Sequence, residues 1–267
     1  MCCCECFIRG TFELMHHKSM VREARDIRIG TAGWTLPKQH AGLFPVEGTH
    51  LSRYARGLNC VEINSSFYRP HRLKTWERWA ESTPAGFKFA VKMPKAITHE
   101  AKLLNAGGLL QAFLEQVRGL GEKLGPLLIQ LPPKLAFDEG VAHEFFTTLR
   151  ELHDSAAVLE PRHASWFTPG VDRLLRGFEI ARVAADPAKG SALAARPGGW
   201  HGLRYYRLHG APRTYYSEYS GEFLTEFVAA VREETPAVTK ETWVVFDNTA
   251  LGHATANAIE LARLVRR

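Results

Sequence analysis

Charged residues that could do acid–base or anion chemistry cluster in the segment VLEPRHASWF, residues 158–167. Glu160, Arg162 and His163 lie within four positions of one another. Side chains alternate across a β-strand, so Glu160 and Arg162 would share one face and His163 the other. An arginine beside a carboxylate lowers the pKa of the carboxylate. We therefore expect Glu160 to be an anion that acts as a base, a hydroxyl acceptor or a metal ligand.

A base on this strand needs a proton donor on another one. His209, in the run YYRLHG, is the natural candidate, since an unperturbed histidine has a pKa of about 6.5. Cations elsewhere in the chain would neutralise a phosphate or a developing oxyanion, and the candidates are Lys92, Arg207 and Arg213. The predicted catalytic residues are Glu160, His209, Arg162 and Lys92.

Polar residues near the ends of other apolar runs are expected to bind a substrate beside this group. Glu62 and Asn64 are two positions apart and would share one face of a strand. Asp247 and Asn248 are adjacent, so only one of them can point the same way, and the sequence leaves that choice open. The predicted substrate-binding residues are Glu62, Asn64, Tyr68, Arg69, His99, Gln130, Arg207, Arg213, Tyr216, Asp247 and Asn248.

Two of these features have a purely structural alternative. The paired polar residues could form a salt-bridge layer within the fold instead of a ligand site. The loop APRTYYSEYS joins Arg213 to Tyr215, Tyr216 and Tyr219. Such a loop can hold an anion and stack on a planar group, or it can simply pack over the strand ends. The sequence leaves both alternatives open.

A metal-assisted site is a further alternative. It would recruit Glu160, Asp186, His209 and Asp247, residue types that oxygen-seeking or zinc-like ions use. However, no HxH or HxxxH spacing occurs, and Arg162 would oppose a cation bound at Glu160. We therefore predict no cofactor and assign no metal ligand, with metal dependence as the less favoured case.

Eight short apolar runs bounded by turn signals predict eight β-strands. They cover residues 27–33, 60–67, 88–94, 126–133, 157–163, 180–186, 203–210 and 242–249. The intervals 109–124, 138–153 and 254–265 carry helix-like patterns. Asp138 can cap one helix, and Thr168 followed by Pro169 can start another.

Alternating strands and helices need parallel pairing, so we predict an α/β fold with a single (β/α)8 barrel over residues 27–267. An open doubly wound sheet is the alternative, but neither GxGxxG nor GxxxxGK[ST] follows the first run to hold a nucleotide phosphate. Active sites of such barrels lie at the carboxyl ends of the strands. The predicted site residues lie in or after that half of each run.

The composition indicates a globular protein with anionic partners. The 267 residues are 45% hydrophobic, and the formal charge of +6 favours phosphate-bearing ligands or nucleic acid. No run of about 18 uncharged apolar residues predicts a membrane span. Residues 1–26 hold four of the five cysteines and are expected to be a disordered leader or a mis-assigned start, with Met20 as an alternative. They lack a secretory h-region, so the expected location is the cytoplasm.

Seven ordered motifs resemble one known family. They are GTAGW, VEINSSFYR, FKFAVKMPKAITH, LGPLLIQLPP, EPRHASWF, YYRLHG and VFDNTALGHATANA. In this order they resemble the YecE-like family, domain of unknown function 72, from residue 27 to the end of the chain. The resemblance implies a single TIM barrel, distantly similar to the sugar isomerase and endonuclease IV barrels. It implies no established reaction.

The expected function is that of a barrel enzyme acting on an anionic or polyhydroxylated substrate. The anionic substrate would be phosphorylated or a phosphodiester, and Glu160 with His209 would carry out acid–base chemistry in a hydrolase. A sugar isomerase-like activity is one alternative, which rests on fold analogy alone. A non-catalytic module that binds nucleic acid or a phosphorylated metabolite is the other.

Overall fold

Ten β-strands and eight α-helices occur in residues 26–266, the part of the chain that the computed structural model describes. The predicted leader therefore lies outside the described residues, except for Asp26. The strands are β1 (Asp26–Thr31), β2 (Cys60–Ile63), β3 (Lys88–Lys92), β4 (Leu124–Gln130), β5 (Ala157–Glu160), β6 (Ile180–Arg182), β7 (Ala184–Asp186), β8 (Gly198–Gly199), β9 (Leu203–Leu208) and β10 (Glu241–Phe246). The helices are α1 (His50–Tyr54), α2 (Ser65–Tyr68), α3 (Leu73–Glu81), α4 (Gly107–Val117), α5 (Glu139–Leu152), α6 (Pro169–Gly177), α7 (Gly221–Glu234) and α8 (His253–Arg266).

The strands form two sheets with parallel pairing in both. One sheet has the order β1-β10-β9-β7, and the other has the order β2-β3-β4-β5-β6-β8. Each of the eight predicted runs forms a strand, and the run at 180–186 is divided at Val183 into β6 and β7. The short β8 pairs antiparallel with β6, which the sequence did not predict. The protein therefore has an α/β fold built on parallel sheets.

The two sheets approach each other at two places. β6 pairs with β5 of the second sheet, whereas β7, which follows β6 after one residue, pairs with β9 of the first. Ala32, just after β1, forms a parallel bridge with Glu62 of β2. A Cβ atom at Gly30 would collide with the carbonyl oxygen of Cys60, so this close approach requires glycine. Apart from β8, the strands of both sheets consequently run in the same direction.

Helix starts follow the predicted capping residues. The Asp138 side chain accepts a hydrogen bond from the backbone N–H of Val141 at 3.0 Å, and Thr168 accepts one from Val171 at 3.2 Å, with Pro169 as the first helical residue. Both contacts satisfy N–H groups that have no partner within the helix. The helix predicted at 109–124 ends earlier, because a 3-10 turn with Gly121 at φ 52° follows α4.

Strand residues of alternate parity enter two different apolar clusters. One set packs against the helices, as Val61, Leu159 and Val244 do. The other set forms a separate buried cluster, which we call the second cluster: Cys60, Ala90, Leu128, Val158, Ala181, Val183, Leu203, Tyr205, Trp243 and Val245. Residues two positions further along these strands share its parity, and several of them are charged or polar. The second cluster therefore leads directly to the polar residues at the carboxyl ends.

Candidate functional site at the carboxyl ends of the strands

Arg207 of β9 is the centre of a buried group of charges. Its Nε and Nη2 atoms donate to the two carboxylate oxygens of Glu62 at 3.0 and 2.8 Å. Nη1 donates to Glu160 Oε2 at 2.6 Å, and Nη2 donates to Asp247 Oδ2 at 3.0 Å. We call Glu62, Glu160, Arg207, His209 and Asp247 the charged cluster. A guanidinium group suits this arrangement because its fixed fork of donors reaches several carboxylates at once.

Glu160 of β5 is bound on both carboxylate oxygens. Gln130 Nε2 donates to Oε2 at 2.9 Å, alongside the bond from Arg207. Arg162 donates to Oε1 from Nε at 3.0 Å and from Nη2 at 2.9 Å. The predicted pairing of Glu160 and Arg162 on one face is therefore present. The carboxylate is only 2% exposed, so each of these bonds replaces lost water.

His209 is held between two carboxylates. Its Nδ1 atom lies 2.9 Å from Asp247 Oδ2, and its Nε2 atom lies 3.6 Å from Glu160 Oε1. Asp247 thus faces the charged cluster. Its neighbour Asn248 points elsewhere and donates to the Ser217 carbonyl oxygen at 2.9 Å, which settles the choice that the sequence left open.

The network shifts the pKa values of its members in opposite directions. Burial raises the pKa of Glu160, but the charge of Arg207 and the hydrogen bond from His209 outweigh burial and hold it well below its ordinary value. Asp247 has a lowered pKa in the same way, because Arg207 and His209 outweigh its burial. For His209, burial and Arg207 lower the pKa, yet the bonds to Asp247 and Glu160 raise it overall. The geometry therefore favours two carboxylate anions around an imidazolium.

Lys92 at the end of β3 differs from the other cations of this region. It is 8% exposed, and no carboxylate among the described residues forms a salt bridge with it. Its Nζ atom lies 4.1 Å from the centre of the Phe67 ring. Burial and the charge of Arg207 lower its pKa to about 8, although Glu62, Glu160 and Asp247 act in the opposite direction.

His99 lies close to Lys92 and Arg162. Its ring packs edge-on against Phe67, with ring centres 4.9 Å apart, so it shares that ring with Lys92. Its Nδ1 atom is 2.9 Å from Thr98 Oγ1. Burial lowers the pKa of His99, and the charges of Lys92 and Arg162 lower it further. We call Lys92, His99 and Arg162 the basic group.

Other predicted site residues lie outside both groups. The Oδ1 atom of Asn64 is buried without a hydrogen-bond partner in the described part of the chain. Asn64 is the first residue after β2, which ends at Ile63. Tyr68 and Arg69 line a cavity of about 230 Å³ beside α3 and α4.

The loop after β9 divides its polar residues between the surface and the interior. Arg213 stacks on Tyr216, with the guanidinium carbon 3.8 Å from the ring centre. Tyr215 packs edge-on against His209 at 5.9 Å between ring centres. Tyr219 is buried instead, and its hydroxyl donates to Asp186 at 2.6 Å. Tyr215 thus contacts the charged cluster, and Arg213 and Tyr216 lie in the same loop, whereas Asp186 is bound by a structural tyrosine.

Sequence reasoning missed two residues that the structure places in contact with the site. The Tyr205 hydroxyl donates to Glu62 Oε2 at 2.9 Å. Its position two residues before Arg207 was a usable signal, because parity puts both on one face. Phe67 carries Lys92 and His99 on its ring. No spacing rule indicated that contact, since α2 brings Phe67 to β3 only in the folded chain.

Potential metal ligands are dispersed or already bound. Among residues 26–266, no group of three or more His, Cys, Asp or Glu side chains is arranged to hold an ion. Glu160, His209 and Asp247 do lie together, but Arg207 donates to both carboxylates. Asp186, the fourth ligand of the metal alternative, is bound by Tyr219 away from them.

The fold and site define an α/β protein with parallel sheets and a buried charged cluster at the carboxyl ends of its strands. Residues 28–267 match the model of the family described as "Protein of unknown function DUF72", and the chain belongs to that family. The YecE-like resemblance of the sequence motifs is thereby confirmed. No helix in the described region is both long and apolar enough to cross a membrane.

Curated relatives include two bacterial proteins. The UPF0759 protein YecE of Escherichia coli strain K12 is 36% identical over 177 residues, which cover 64% of this chain and 62% of the relative. The UPF0759 protein YunF of Bacillus subtilis strain 168 is 29% identical over 155 residues, which cover 54% and 53% of the two chains. The matches thus span less than two thirds of either relative.

Two solved structures of the family have the same fold. A DUF72 protein from Enterococcus faecalis V583 superposes with a TM-score of 0.75 at 21% identity, covering 90% of this chain and 96% of that one. A DUF72 protein from Thermotoga maritima MSB8 gives a TM-score of 0.73 at 24% identity, covering 91% and 100%. At these identities the likeness establishes the fold alone.

Proposed function

We propose that this protein is an enzyme that acts on an anionic substrate, phosphorylated or a phosphodiester, bound at the carboxyl ends of the strands. Polyhydroxylated groups of the substrate would bond to the polar residues around the charged cluster. His209 is the proton donor, and the basic group holds the negative charge. The reaction class that suits these parts is hydrolysis of a phosphodiester or sugar phosphate.

The proposed frame for this site is a single closed (β/α)8 barrel. Two observations support closure: the run 180–186 pairs with both sheets, and Ala32 bridges to Glu62 at the other pair of edges. The second cluster would then fill the barrel interior, as layers of inward side chains do in this fold. The charged cluster would be the next layer, at the end where such barrels place their active sites.

The observation that carries the functional proposal is the buried Lys92 ammonium without a salt bridge to any described carboxylate. Burying an unpaired charge is costly, so a cation kept in such a place points to an anionic ligand. Arg162 adds to it: its side chain is 20% exposed, whereas that of Glu160 is 3% exposed. A ligand oxygen can reach Arg162 without breaking its bonds to Glu160.

We assign proton donation to His209 and not to Glu160. Glu160 is a weak base, because its pKa is held well below the ordinary value and both oxygens accept hydrogen bonds. We therefore assign Glu160 to holding Arg162 and His209 in place. His209 carries the raised pKa that a general acid at neutral pH needs.

Anion binding tests the first half of the proposal. We expect inorganic phosphate and sulfate to raise the melting temperature of the full chain, as any ligand of the native state does. In Arg162→Gln the shift should fall by more than half, whereas Arg173→Gln, which removes an exposed arginine on α6, should keep it. Equal shifts in both variants would remove the basic group as the anion site.

Turnover tests the second half. A panel of phosphomonoesters, phosphodiesters and sugar phosphates should include a substrate whose hydrolysis is lost in His209→Gln. Turnover that persists in that variant would contradict the role of His209.

Activity abolished by chelation and restored by one metal would favour the metal-assisted version. Binding to oligonucleotides with a steep salt dependence, and no turnover, would favour a binding module.

A further inference from the structure

The Lys92 side chain can act as a nucleophile as well as a cation. We propose that the Lys92 amine adds to a carbonyl carbon of the substrate and forms an imine, so that the substrate class is phosphorylated or similarly anionic aldehydes and ketones. That the substrate is anionic rests on the proposed function, whereas imine formation is inferred from the surroundings of Lys92 itself.

The backbone on both sides of Lys92 is fixed. The Lys92 carbonyl oxygen accepts a hydrogen bond from Ser66 Oγ at 2.7 Å. The backbone N–H of Met93 donates to the Leu128 carbonyl oxygen at 2.9 Å. The Nζ atom, 4.1 Å from the centre of the Phe67 ring, is thus presented from a strand end and not from a mobile loop. A fixed amine against an aromatic wall can be held close to one carbonyl carbon.

Charged groups surround this amine on several elements. Arg207 of β9 opposes its protonation, whereas Glu62, Glu160 and Asp247 favour it, and burial outweighs the carboxylates. With a pKa of about 8, about a quarter of Lys92 is neutral at pH 7.5, against roughly 0.1% for an ordinary lysine with a pKa of about 10.5. Only the neutral amine is nucleophilic, and desolvation next to another cation is a known way to obtain it.

The covalent step balances without an oxidant or a reductant. The lone pair of Nζ forms a bond to the carbonyl carbon, and the carbonyl π electrons move to the oxygen, which takes up a proton while the nitrogen loses one. The hydroxyl then takes a second proton, supplied by solvent, and leaves as water, and the nitrogen lone pair forms the C=N bond. The products are a protonated imine and one water molecule.

His99 is positioned to move these protons. It packs on the same Phe67 ring as Lys92, and its lowered pKa keeps the imidazole neutral near pH 7. Thr98 Oγ1 bonds to Nδ1 at 2.9 Å, which orients the ring. A neutral imidazole can both accept and return a proton during the loss of water.

Reductive trapping tests the proposal on the full chain. Dihydroxyacetone phosphate and dihydroxyacetone are each incubated with the protein and sodium cyanoborohydride, and peptide mapping by mass spectrometry locates the reduced adduct. Lys95 is the matched control, since it is 48% exposed and pairs with Glu100 at 3.0 Å. The variants are Lys92→Arg, which keeps the cation without a primary amine, and Lys95→Arg.

We expect the adduct at Lys92 to form at least about tenfold faster than at Lys95 at pH 7.5, with a rate that rises through about pH 8. It should persist in Lys95→Arg and be lost in Lys92→Arg, while Lys92→Arg keeps its melting-temperature shift with phosphate. The phosphorylated ketone should be captured at least about tenfold faster than dihydroxyacetone, since Arg162 would hold its phosphate.

Each contrary result has a separate meaning. Capture at Lys92 no faster than at Lys95, with either ketone, overturns the imine proposal even if phosphate still raises the melting temperature. If the two ketones are captured equally at Lys92, imine formation by Lys92 is supported. The same result overturns the preference for an anionic substrate, which belongs to the proposed function. Circular dichroism of Lys92→Arg shows whether its loss of adduct reflects the missing amine or a loss of fold.

Discussion

The two ends of the strands carry buried arginines in different electrostatic settings. At the amino end, Arg28 of β1 donates to Glu241 Oε1 from Nε and Nη2 at 3.3 and 3.2 Å, and to the Gly86 carbonyl oxygen at 2.6 Å. The other carboxylate oxygen of Glu241 accepts from Trp243 Nε1 at 3.0 Å. Both carboxylate oxygens of Glu241 are therefore bound.

At the carboxyl end, Arg207 is bound to three carboxylates and Arg162 pairs with one of them, Glu160, yet one further cation has no carboxylate partner among the described residues. Lys92 lacks a salt bridge within the described residues, and Arg162 keeps an exposed edge. A structural ion pair needs no surplus, because each buried charge is compensated within the protein. Under the proposed function, the surplus cation, and not the presence of buried charge, separates a ligand site from a structural one.

Cavity volume alone would have indicated the opposite end. A cavity of about 420 Å³ lies near the amino end of β1, lined by apolar and backbone groups together with Arg56, Asn59 and Arg266. Among the described residues, its lining includes no carboxylate, histidine or lysine that could exchange a proton with a substrate. The charged cluster, although tightly packed, has such groups.

The largest expected effect comes from removing the central cation. Arg207→Met leaves Glu62, Glu160 and Asp247 buried without their shared partner, so we expect the free energy of unfolding to fall by about 3–5 kcal/mol. Arg28→Met uncovers one carboxylate, which is 31% exposed, and should cost only about 1–2 kcal/mol. Urea denaturation of both variants measures the difference. Equal losses of stability in the two variants would mean that the arginines at the two ends of the strands contribute alike.

A change of opposite sign is expected at Lys92. Lys92→Met removes a buried charge and keeps an apolar side chain against Phe67, so the free energy of unfolding should rise by about 1–2 kcal/mol at pH 7. Urea denaturation at that pH checks this value. A loss of stability would instead place Lys92 among the structural cations with Arg207.

The pH dependence of stability also tests whether Lys92 is buried without a compensating carboxylate. The folded-state pKa of Lys92, about 8, is below its unfolded value near 10.5, so the unfolded chain binds more protons between these pH values. Stability attributable to Lys92 should therefore rise from pH 8 to pH 10.5, by at most about 1.4 kcal/mol per pH unit. Lys92→Met should lack this rise, and Lys95→Met, which changes an exposed lysine, should retain it.

The contribution of His209 to stability should change with pH in the opposite direction. Its folded-state pKa is raised above the ordinary value of 6.5, so its protonated form stabilises the fold fully below pH 6.5. That contribution is lost as the pH rises through the folded-state pKa. We expect His209→Gln to cost about 1–2 kcal/mol at pH 5.5 and less at pH 9. Chemical denaturation at the two pH values measures this, and a cost that does not depend on pH would mean that folding leaves the pKa of His209 unchanged.

The smallest effect concerns a single neutral donor. Tyr205→Phe removes the hydroxyl that donates to Glu62 and leaves the bonds from Arg207 in place. We expect a loss of about 1 kcal/mol, the usual net value of one hydrogen bond. A loss as large as that of Arg207→Met would show that the hydroxyl, and not the guanidinium, holds Glu62.

The sequence by itself determined the strand positions, their parity and the helix starts. These features depend on neighbours along the chain: alternation puts Glu160 beside Arg162, and Asp138 caps a helix three residues away. Alternation alone does not say which of two adjacent residues points inward, which is why it left Asp247 and Asn248 undecided.

Only the tertiary structure decided which charges meet and which are left over. Arg207 and Glu62 are 145 positions apart, and no local rule brings them together or counts the carboxylates around one guanidinium. The lowered pKa of Lys92 and the raised pKa of His209 arise from burial and from partners on other strands. Electrostatic energy depends on distance in space and on access to water, and both are set when the strands assemble.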